Sequence, residues 1–229
     1  MTGMLASVNS VDEALLVLAA QVDIIDLKQP AAGALGALET AVVTEIVGHC
    51  RGLCPVSATI GDLPMHPERV FNAVKTMAET GVDYIKIGFF QDGDTLATIE
   101  KLAVLARNNL ALIAVLFADQ QPDFALVDAL KNAGFKGVML DTMDKASGSL
   151  TKVMPQADIA RFVGLVKEQQ LICGLAGSLR LEDIAGLLPC QPDYLGFRGA
   201  LCARHERTGQ LNQAAVVQIK QAITSNLLL

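Results

Sequence analysis

Short apolar runs alternate with segments of helical period along the chain. The apolar runs predict strands at residues 4–8, 24–28, 55–59, 84–88, 112–117, 137–141, 173–176 and 194–197. Apolar positions at helical spacing predict helices at residues 11–20, 40–49, 67–79, 95–108, 122–133, 156–169, 181–188 and 213–227. Ser10 and Ser178 precede two of these helices as candidate N-caps. The chain is therefore predicted to repeat a strand–helix unit eight times.

Repeated strand–helix units indicate parallel strands, because a parallel pair needs a long crossover connection rather than a tight turn. The strands are apolar almost throughout, as expected for a sheet covered by helices. Eight units in 229 residues favour an α/β fold, a (β/α)8 TIM barrel in which residues 1–229 form a single catalytic domain. A doubly wound open sheet is the alternative, but its Gly-x-Gly-x-x-Gly turn is absent after the first strand.

Charged residues lie at the ends of three even-numbered strands. Asp26 and Lys28 are two positions apart at the end of the second strand, so their side chains leave the sheet on the same face. Lys86 lies near the end of the fourth strand, Asp141 ends the sixth, and Lys145 follows in the next loop. Even-numbered strands share layers inside such a barrel, and active sites form at its C-terminal face. We therefore predict that these five residues form one catalytic site.

Lysine in an apolar strand points to chemistry that uses an amine. Burying an ammonium group is costly unless it is paired or neutralised. A desolvated lysine near other cations has a lowered pKa and can attack a carbonyl carbon to form a Schiff base. Taken singly, Lys28 or Lys86 is as readily an ordinary strand-end residue that reaches water. Two such lysines beside two aspartates favour the functional interpretation, because clustered ionisable groups shift one another's pKa values.

Glycine-containing turns follow the seventh and eighth strands. Gly177 and Ser178 end the seventh strand, and Arg198 and Gly199 end the eighth. In this fold, the loops after these two strands are the usual phosphate site. Glycine lets backbone N–H groups approach an anion, and the Arg198 guanidinium offers a fork of donors. We predict that these four residues bind a substrate phosphate, with a plain tight turn as the alternative for Gly177 and Ser178.

Weaker candidates lie beside the odd-numbered strands. Asp62 follows the third strand and either orients a lysine or caps the next helix, and Asp119 follows the fifth strand at the edge of the predicted site. The loop at residues 33–37 either offers its backbone to a ligand or simply marks a turn. No metal site is predicted, because the three histidines share no ligand spacing and are expected on the surface or in loops: His49, His66 and His205.

Composition and charge restrict the class of protein. Apolar residues make up 52% of the chain, enough for a sizeable core, and the net charge of −6 argues against nucleic-acid binding. The first ten residues lack a secretory signal pattern, and no apolar run approaches the ~20 residues that span a bilayer. The five cysteines form no zinc pattern and are expected to be reduced. We expect a cytoplasmic protein with no nucleic-acid or membrane partner, either monomeric or homo-oligomeric.

These motifs, taken in order, resemble one enzyme family over nearly the whole chain. The family is the 4-(hydroxymethyl)-2-furancarboxaldehyde-phosphate synthases, also named (5-formylfuran-3-yl)methyl phosphate synthases, which act in methanofuran biosynthesis. The resemblance is carried by the segments at residues 23–28, 33–37, 56–62, 83–88, 139–142, 175–178 and 198–200. Several such motifs in one order are far more specific than any one of them alone.

The resemblance implies a (β/α)8 lyase that joins two molecules of glyceraldehyde 3-phosphate, a phosphorylated aldehyde, with loss of phosphate and water. It assigns the Schiff-base lysine to Lys28 and places Asp26, Lys86, Asp141 and Lys145 in the same active site. It implies no metal or organic cofactor. The chain departs from the family pattern in a short loop at residues 118–122 and in the segment at residues 202–209.

Two other functions are open at this point. A class I aldolase of another phosphorylated sugar would use the same lysine chemistry, and furan formation would separate it from retro-aldol cleavage. A non-catalytic sensor of a phosphorylated metabolite would bind tightly without turnover and would tolerate loss of Lys28. The paired aspartates and lysines favour an enzyme, because a binding protein has no need of them.

Overall fold

The computed structural model describes residues 1–225, which form a closed barrel of eight parallel strands. The strands are β1 (Gly3–Val8), β2 (Ile24–Leu27), β3 (Val56–Thr59), β4 (Tyr84–Gly88), β5 (Leu112–Phe117), β6 (Gly137–Asp141), β7 (Ile172–Leu175) and β8 (Tyr194–Phe197). Each strand pairs with its neighbour in sequence, and β8 pairs with β1 to close the ring. The predicted (β/α)8 fold is confirmed.

Helices alternate with the strands and surround the barrel. They are α1 (Val11–Ala19), α2 (Thr40–Cys50), α3 (Pro67–Ala78), α4 (Thr95–Arg107), α5 (Leu126–Ala133), α6 (Leu150–Val153), α7 (Gln156–Glu168), α8 (Leu181–Leu187) and α9 (Gln213–Ser225). None of these helices is both long and apolar enough to cross a membrane within the described part of the chain.

Several element boundaries differ from the sequence prediction for local reasons. The helix predicted at residues 122–133 begins at Leu126, because a single turn follows β5 and Asp123 holds the Ala125 N–H before the helix. The predicted end of the last helix, at residues 226–227, lies outside the described residues. The short helix α6 was not predicted, since four residues are too few to show a helical period.

The two predicted N-caps have different outcomes. Ser10 is confirmed, because its hydroxyl accepts a hydrogen bond from the Glu13 N–H at 3.3 Å. Ser178 as the cap of α8 is wrong, because that helix begins three residues later, at Leu181. There the Asp183 carboxylate accepts a hydrogen bond from the Arg180 N–H and closes the first turn.

Apolar side chains pack in two layers on either side of the strands. The larger layer lies between the strands and the helices and includes residues such as Val17, Ile46 and Phe162. The smaller layer fills the barrel interior with Leu5, Ile113, Val115, Phe117, Met139 and Tyr194. The interior is therefore a packed core at its lower levels, and polar chemistry is confined to the C-terminal end of the strands.

The strand register determines which polar side chains meet inside the barrel. Ser7 on β1 is level with Asp26 on β2, which is level with Ser57 on β3. One step higher, Thr59 on β3 is level with Lys86 on β4. These rows form a polar layer directly beneath the mouth at the C-terminal end of the barrel.

Candidate active site

A buried ion pair forms the floor of the site. Asp26 is fully buried, and its carboxylate lies 2.8 Å from the Lys86 Nζ. The same carboxylate accepts hydrogen bonds from the Ser7 and Ser57 hydroxyls at 2.8 and 2.7 Å. Burial alone would raise the pKa of Asp26, but the charges of Lys86 and Lys28 and these hydrogen bonds together lower it. Asp26 is therefore an ionised anchor for Lys86.

A second ion pair lies at the end of β6. The Lys145 Nζ is 2.5 Å from the Asp141 Oδ1 and also donates to the Thr142 carbonyl and hydroxyl oxygens. Burial would raise the pKa of Asp141, but the nearby charges of Lys145 and Lys28 outweigh it and lower the pKa to about 2. Asp141 is therefore a carboxylate at neutral pH, and Lys145 folds back onto it from the loop.

Lys28 is the least constrained of the three lysines. Its Nζ lies 3.9 Å from the Asp141 Oδ2, and within the described residues its ammonium makes no hydrogen bond. Burial is the main cause that lowers the pKa of Lys28, to about 8, and the charges of Lys145 and Lys86 lower it further, while Asp141 opposes them. A substantial fraction of Lys28 is thus a neutral amine near pH 8, which is the form that attacks a carbonyl carbon.

The structure brings together all five residues predicted for the catalytic site, but it pairs them differently. Asp26 and Lys28 were expected to leave the sheet on the same face, but the carboxylate of Asp26 contacts Lys86, and Lys28 faces Asp141. A desolvated lysine near other cations was expected to have a lowered pKa, and burial, followed by the charges of Lys145 and Lys86, lowers the pKa of Lys28. Their catalytic roles stay a prediction at this stage.

These side chains line one cavity of about 200 Å³ at the barrel mouth. Lys28, Lys86, Asp141 and Lys145 contribute to its wall, whereas Asp26 lies beneath it. The opposite wall consists of the loops after β7 and β8, including Gly177, Ser178, Arg198 and Gly199 as predicted. The predicted amine site and the predicted phosphate turns therefore share one cavity.

Gly177 bends the chain sharply after β7. Its φ angle is +108°, and a Cβ atom there would lie 2.8 Å from the Thr142 Cγ2 and 3.0 Å from the Thr142 backbone nitrogen. Only glycine fits this conformation and this close approach to the end of β6. Ser178 follows with φ of 48°, so both residues turn the backbone away from the strand direction. This turn forms the cavity rim beside Asp141.

The Arg198 guanidinium, predicted to bind a substrate phosphate, already donates all of its hydrogen bonds within the protein. Its Nη1 and Nη2 bind both carboxylate oxygens of Glu13 on α1, and the remaining donors bind the carbonyl oxygens of Ser7, Arg207 and Gly209. A guanidinium has five N–H donors, and these contacts use all of them. Sequence spacing did not show this because Glu13 is 185 residues away in the chain.

The sequence analysis did not identify three basic residues of the cavity wall as site residues: Arg180, His205 and Arg207. Arg180 comes two residues after Ser178, and Arg207 lies in the segment where the chain departs from the family pattern. Their position in the loops after β7 and β8 was the signal that could have identified them, because ligand-binding residues of this fold concentrate there. His205, expected on the surface or in a loop, is an exposed loop residue at the cavity edge.

Asp62 and Asp119 hold loops rather than line the cavity. Asp62 accepts hydrogen bonds from the Ala34 and Leu35 N–H groups, so the backbone of the loop after β2 is held by the protein. Asp119 accepts from the Met143 and Asp144 N–H groups and holds the loop that carries Lys145. Asp62 neither orients a lysine directly nor caps the next helix.

The charge around the cavity is positive although the whole chain is acidic. Within residues 1–225, three lysines, Arg180 and Arg207 outnumber the nearby carboxylates of Asp26, Asp141 and Asp62, while Arg198 is balanced by Glu13. Among residues 1–225, no group of three or more His, Cys, Asp or Glu side chains is arranged to hold a metal ion. The cavity is therefore suited to an anionic, carbonyl-bearing ligand.

Comparison with known proteins identifies relatives across almost the entire chain. The family model for 4-HFC-P synthase matches residues 4–220. A (5-formylfuran-3-yl)methyl phosphate synthase of Methanosarcina barkeri is 30% identical, covering 91% of this chain and 93% of that protein. A protein of Methylorubrum extorquens that bears the same name provisionally is 40% identical, covering 96% of this chain and 91% of its own length.

Solved structures agree on the fold. Phosphoribosyl anthranilate isomerase from Thermotoga maritima superposes with a TM-score of 0.71 over 98% of this chain and 100% of its own. The two sequences are 12% identical, so this likeness concerns architecture alone.

Proposed function

Because the chain belongs to the 4-HFC-P synthase family, we propose that it condenses two molecules of glyceraldehyde 3-phosphate into (5-formylfuran-3-yl)methyl phosphate. The observation that carries this proposal is Lys28, a buried lysine on the cavity wall whose ammonium makes no hydrogen bond with the described residues. The names of the relatives support the product, and the positive cavity supports two phosphorylated substrates. The same product fits a role in methanofuran biosynthesis in a cytoplasmic enzyme.

In the proposed first step, the neutral Lys28 amine attacks the aldehyde carbon of one triose phosphate and expels water to form an iminium ion. The iminium nitrogen accepts the electron pair released when the C2 proton is removed. The resulting enamine returns that pair and expels the phosphate from C3. Asp141, a carboxylate 3.9 Å from the Lys28 Nζ, is the group best positioned to take part in this proton transfer.

The connectivity of the product defines the second half of the reaction. Its formyl and phosphomethyl groups lie on ring carbons 5 and 3, so C3 of the first triose must bond to C2 of the second. The second triose therefore reacts as its ketone isomer, formed by moving a proton from C2 to C1. Ring closure then expels two waters, and hydrolysis of the iminium frees Lys28. The Asp141–Lys145 pair supplies a base and an acid for these transfers.

In this scheme, Lys86 and Asp26 lie at the floor of the cavity and keep their positions during the reaction. Lys86 is held by Asp26 at 2.8 Å and reaches the cavity wall, where its charge stabilises an enolate or alkoxide oxygen. Asp26 is a positioning residue in this scheme, because it touches Lys86 and two serines and does not line the cavity.

The first test of this function is incubation with glyceraldehyde 3-phosphate alone. We expect furan absorbance and inorganic phosphate to rise together, with one phosphate released per furan. Borohydride added during turnover should attach the substrate to Lys28, detected by mass spectrometry of the digested protein. Lys28→Arg keeps the charge but not a usable amine and should abolish turnover while the melting temperature stays close to that of the wild type.

Lys75→Arg is the matched control, because Lys75 is exposed on α3 and should retain full activity. No adduct, or an adduct on another lysine, would contradict the Schiff-base step. Retro-aldol cleavage of a phosphorylated sugar without furan formation would instead indicate the class I aldolase.

A further inference from the structure

The loop after β6, which carries Lys145, is attached at its far end to the start of α8. The attachment is the buried side chain of Asp183. Its Oδ1 accepts hydrogen bonds from the Ser149 hydroxyl at 3.2 Å and from the Thr151 hydroxyl. Its Oδ2 accepts a hydrogen bond from the Arg180 N–H at 2.8 Å. One buried carboxylate therefore joins the loop after β6 to the loop after β7.

Backbone contacts join the same two loops. The Leu150 N–H donates to the Gly177 carbonyl oxygen at 2.8 Å. Nearer the strands, the close approach of Gly177 to Thr142 leaves no room for a Cβ atom. The two loops are thus in contact both where they leave the barrel and where α6 begins, so a shift of one loop is passed to the other.

Capping α8 accounts for only part of the contacts of Asp183. The cap uses the Oδ2 alone, and a neutral amide side chain would supply the same acceptor at a lower desolvation cost. Within residues 1–225, Asp183 forms no ion pair, so hydrogen bonds stabilise its buried carboxylate. The second oxygen binds two hydroxyls that lie 34 and 32 residues away in the chain. These distant contacts add nothing to the cap and act on the loop after β6.

We propose that Asp183 is a positioning residue that fixes the far end of the loop carrying Lys145. Asp119 holds the near end of this loop through two backbone N–H groups. Lys145 lies between the two attachments, and its Nζ is 2.5 Å from the Asp141 Oδ1. With both ends held, the Lys145 ammonium stays on Asp141 and beside Lys28 before any substrate binds.

Two measurements report on the position of Lys145. The first is kcat for furan formation, and this readout rests on the proposed function. The second is amine labelling of Lys28 as a function of pH, which needs no turnover. The charged groups with the largest effects on the pKa of Lys28 are Asp141, Lys145, Lys86 and Asp26. Withdrawal of Lys145 removes a positive charge and leaves Asp141 to act on Lys28 alone, and both changes raise the pKa of Lys28 above about 8.

The experiment compares two ways of breaking the contact. Ser149→Ala combined with Thr151→Val removes both hydroxyl donors and leaves the cap of α8 intact. We expect this double variant to lower kcat about tenfold to a hundredfold, with a smaller change in KM, because a displaced catalytic group costs rate more than affinity. The labelling inflection of Lys28 should move to higher pH. Asp183→Ala should have the same effects, and adding it to the double variant should lower kcat no further than Asp183→Ala alone.

Glu182→Ala is the matched control, because Glu182 is exposed beside Asp183 in the first turn of α8. It should change neither kcat nor the labelling inflection. A role confined to capping predicts that Asp183→Ala lowers only the melting temperature, while the Ser149 and Thr151 double variant keeps wild-type kcat and labelling. That result, a kcat loss without the labelling shift, or an equal loss in Glu182→Ala would overturn the proposal.

The two readouts also separate this inference from the proposed function. If no furan forms but the labelling inflection rises in the double variant, the proposed function fails and the positioning role of Asp183 stands. If furan forms and the double variant keeps both kcat and the inflection, the positioning role fails and the function stands.

Discussion

Lys28 differs from Lys86 and Lys145 in what its ammonium contacts. Lys86 is 2.8 Å from the Asp26 carboxylate, and Lys145 is 2.5 Å from that of Asp141, whereas Lys28 is 3.9 Å from the nearest carboxylate oxygen. Lys86 and Lys145 are therefore each fixed in place by a carboxylate, whereas Lys28 is not. The three lysines thus divide into two that each contact a carboxylate closely and one, Lys28, that fits the proposed role of nucleophile.

The pH dependence of Lys28 reactivity follows from its lowered pKa. The pKa is about 8 instead of 10.5, so the neutral amine becomes abundant as the pH rises through about 8. Competitive amine labelling, read by mass spectrometry, should show Lys28 reactivity rising with an inflection near 8. The charge of Lys145 lowers this pKa, so Lys145→Met should move the inflection to higher pH. An inflection near 10.5 in the wild type would contradict the lowered pKa.

Arg198 is predicted to matter for stability rather than for phosphate affinity. Arg198→Met leaves the carboxylate of Glu13 buried without its partner, which should lower the free energy of unfolding by about 3–5 kcal/mol. Denaturant titration measures this, with Arg161→Met expected to change it by less than about 0.5 kcal/mol. Adding Glu13→Gln should recover part of the loss. A stable Arg198→Met protein with weak phosphate binding would restore the role that sequence spacing predicts.

At the scale of elements, two carboxylates that follow odd-numbered strands hold the loops after the neighbouring even-numbered strands. Asp62 follows β3 and holds the loop after β2, and Asp119 follows β5 and holds the loop after β6. A carboxylate can accept hydrogen bonds from two N–H donors at once, so each aspartate fixes two consecutive backbone N–H groups of the neighbouring loop. The loops that follow Lys28 and Asp141 are therefore held by neighbouring strands.

Asp119 should act as a positioning residue for Lys145. Asp119→Asn leaves one acceptor oxygen for two N–H donors, so the loop at Met143 and Asp144 should loosen and kcat should fall about tenfold, with a smaller change in KM. The inflection of Lys28 labelling should also shift to higher pH as the Lys145 charge withdraws. Asp123→Asn is the control, since Asp123 holds only the Ala125 N–H in the same region. A kcat loss without the labelling shift would argue against positioning of Lys145.

The boundaries of strands and helices were largely predictable, because the local pattern of apolar residues determines most of them. The β4, β5, β6 and β8 bounds match the prediction at both ends. Among the predicted helices, only α5 begins elsewhere than predicted, because the Asp123 side chain, rather than the apolar period, determines where the chain enters this helix. Such caps depend on one contact each and leave little signal in a periodic pattern.

At the scale of the whole molecule, an acidic protein maintains a cationic cavity. The net charge is −6, yet Lys28, Lys86, Lys145, Arg180 and Arg207 surround the barrel mouth. The closed parallel barrel allows these cations to gather, because the C-terminal ends of all eight strands lie on the same face. An anion is thereby attracted to one face of a protein whose overall charge repels it.

Sequence by itself determined the barrel and the strand ends at which Lys28, Lys86 and Asp141 lie. These follow from the apolar period and from the rule that parallel strands end on one face. Only the tertiary structure decided the partners: Asp26 with Lys86, Lys28 with Asp141, and Arg198 with Glu13 rather than with a phosphate. The reason is physical, because pairings across a barrel depend on strand register and side-chain reach between residues far apart in the chain. Within residues 1–225, the same three-dimensional contacts leave the Arg180 Nη1 without a hydrogen-bond partner, which no local sequence pattern could predict.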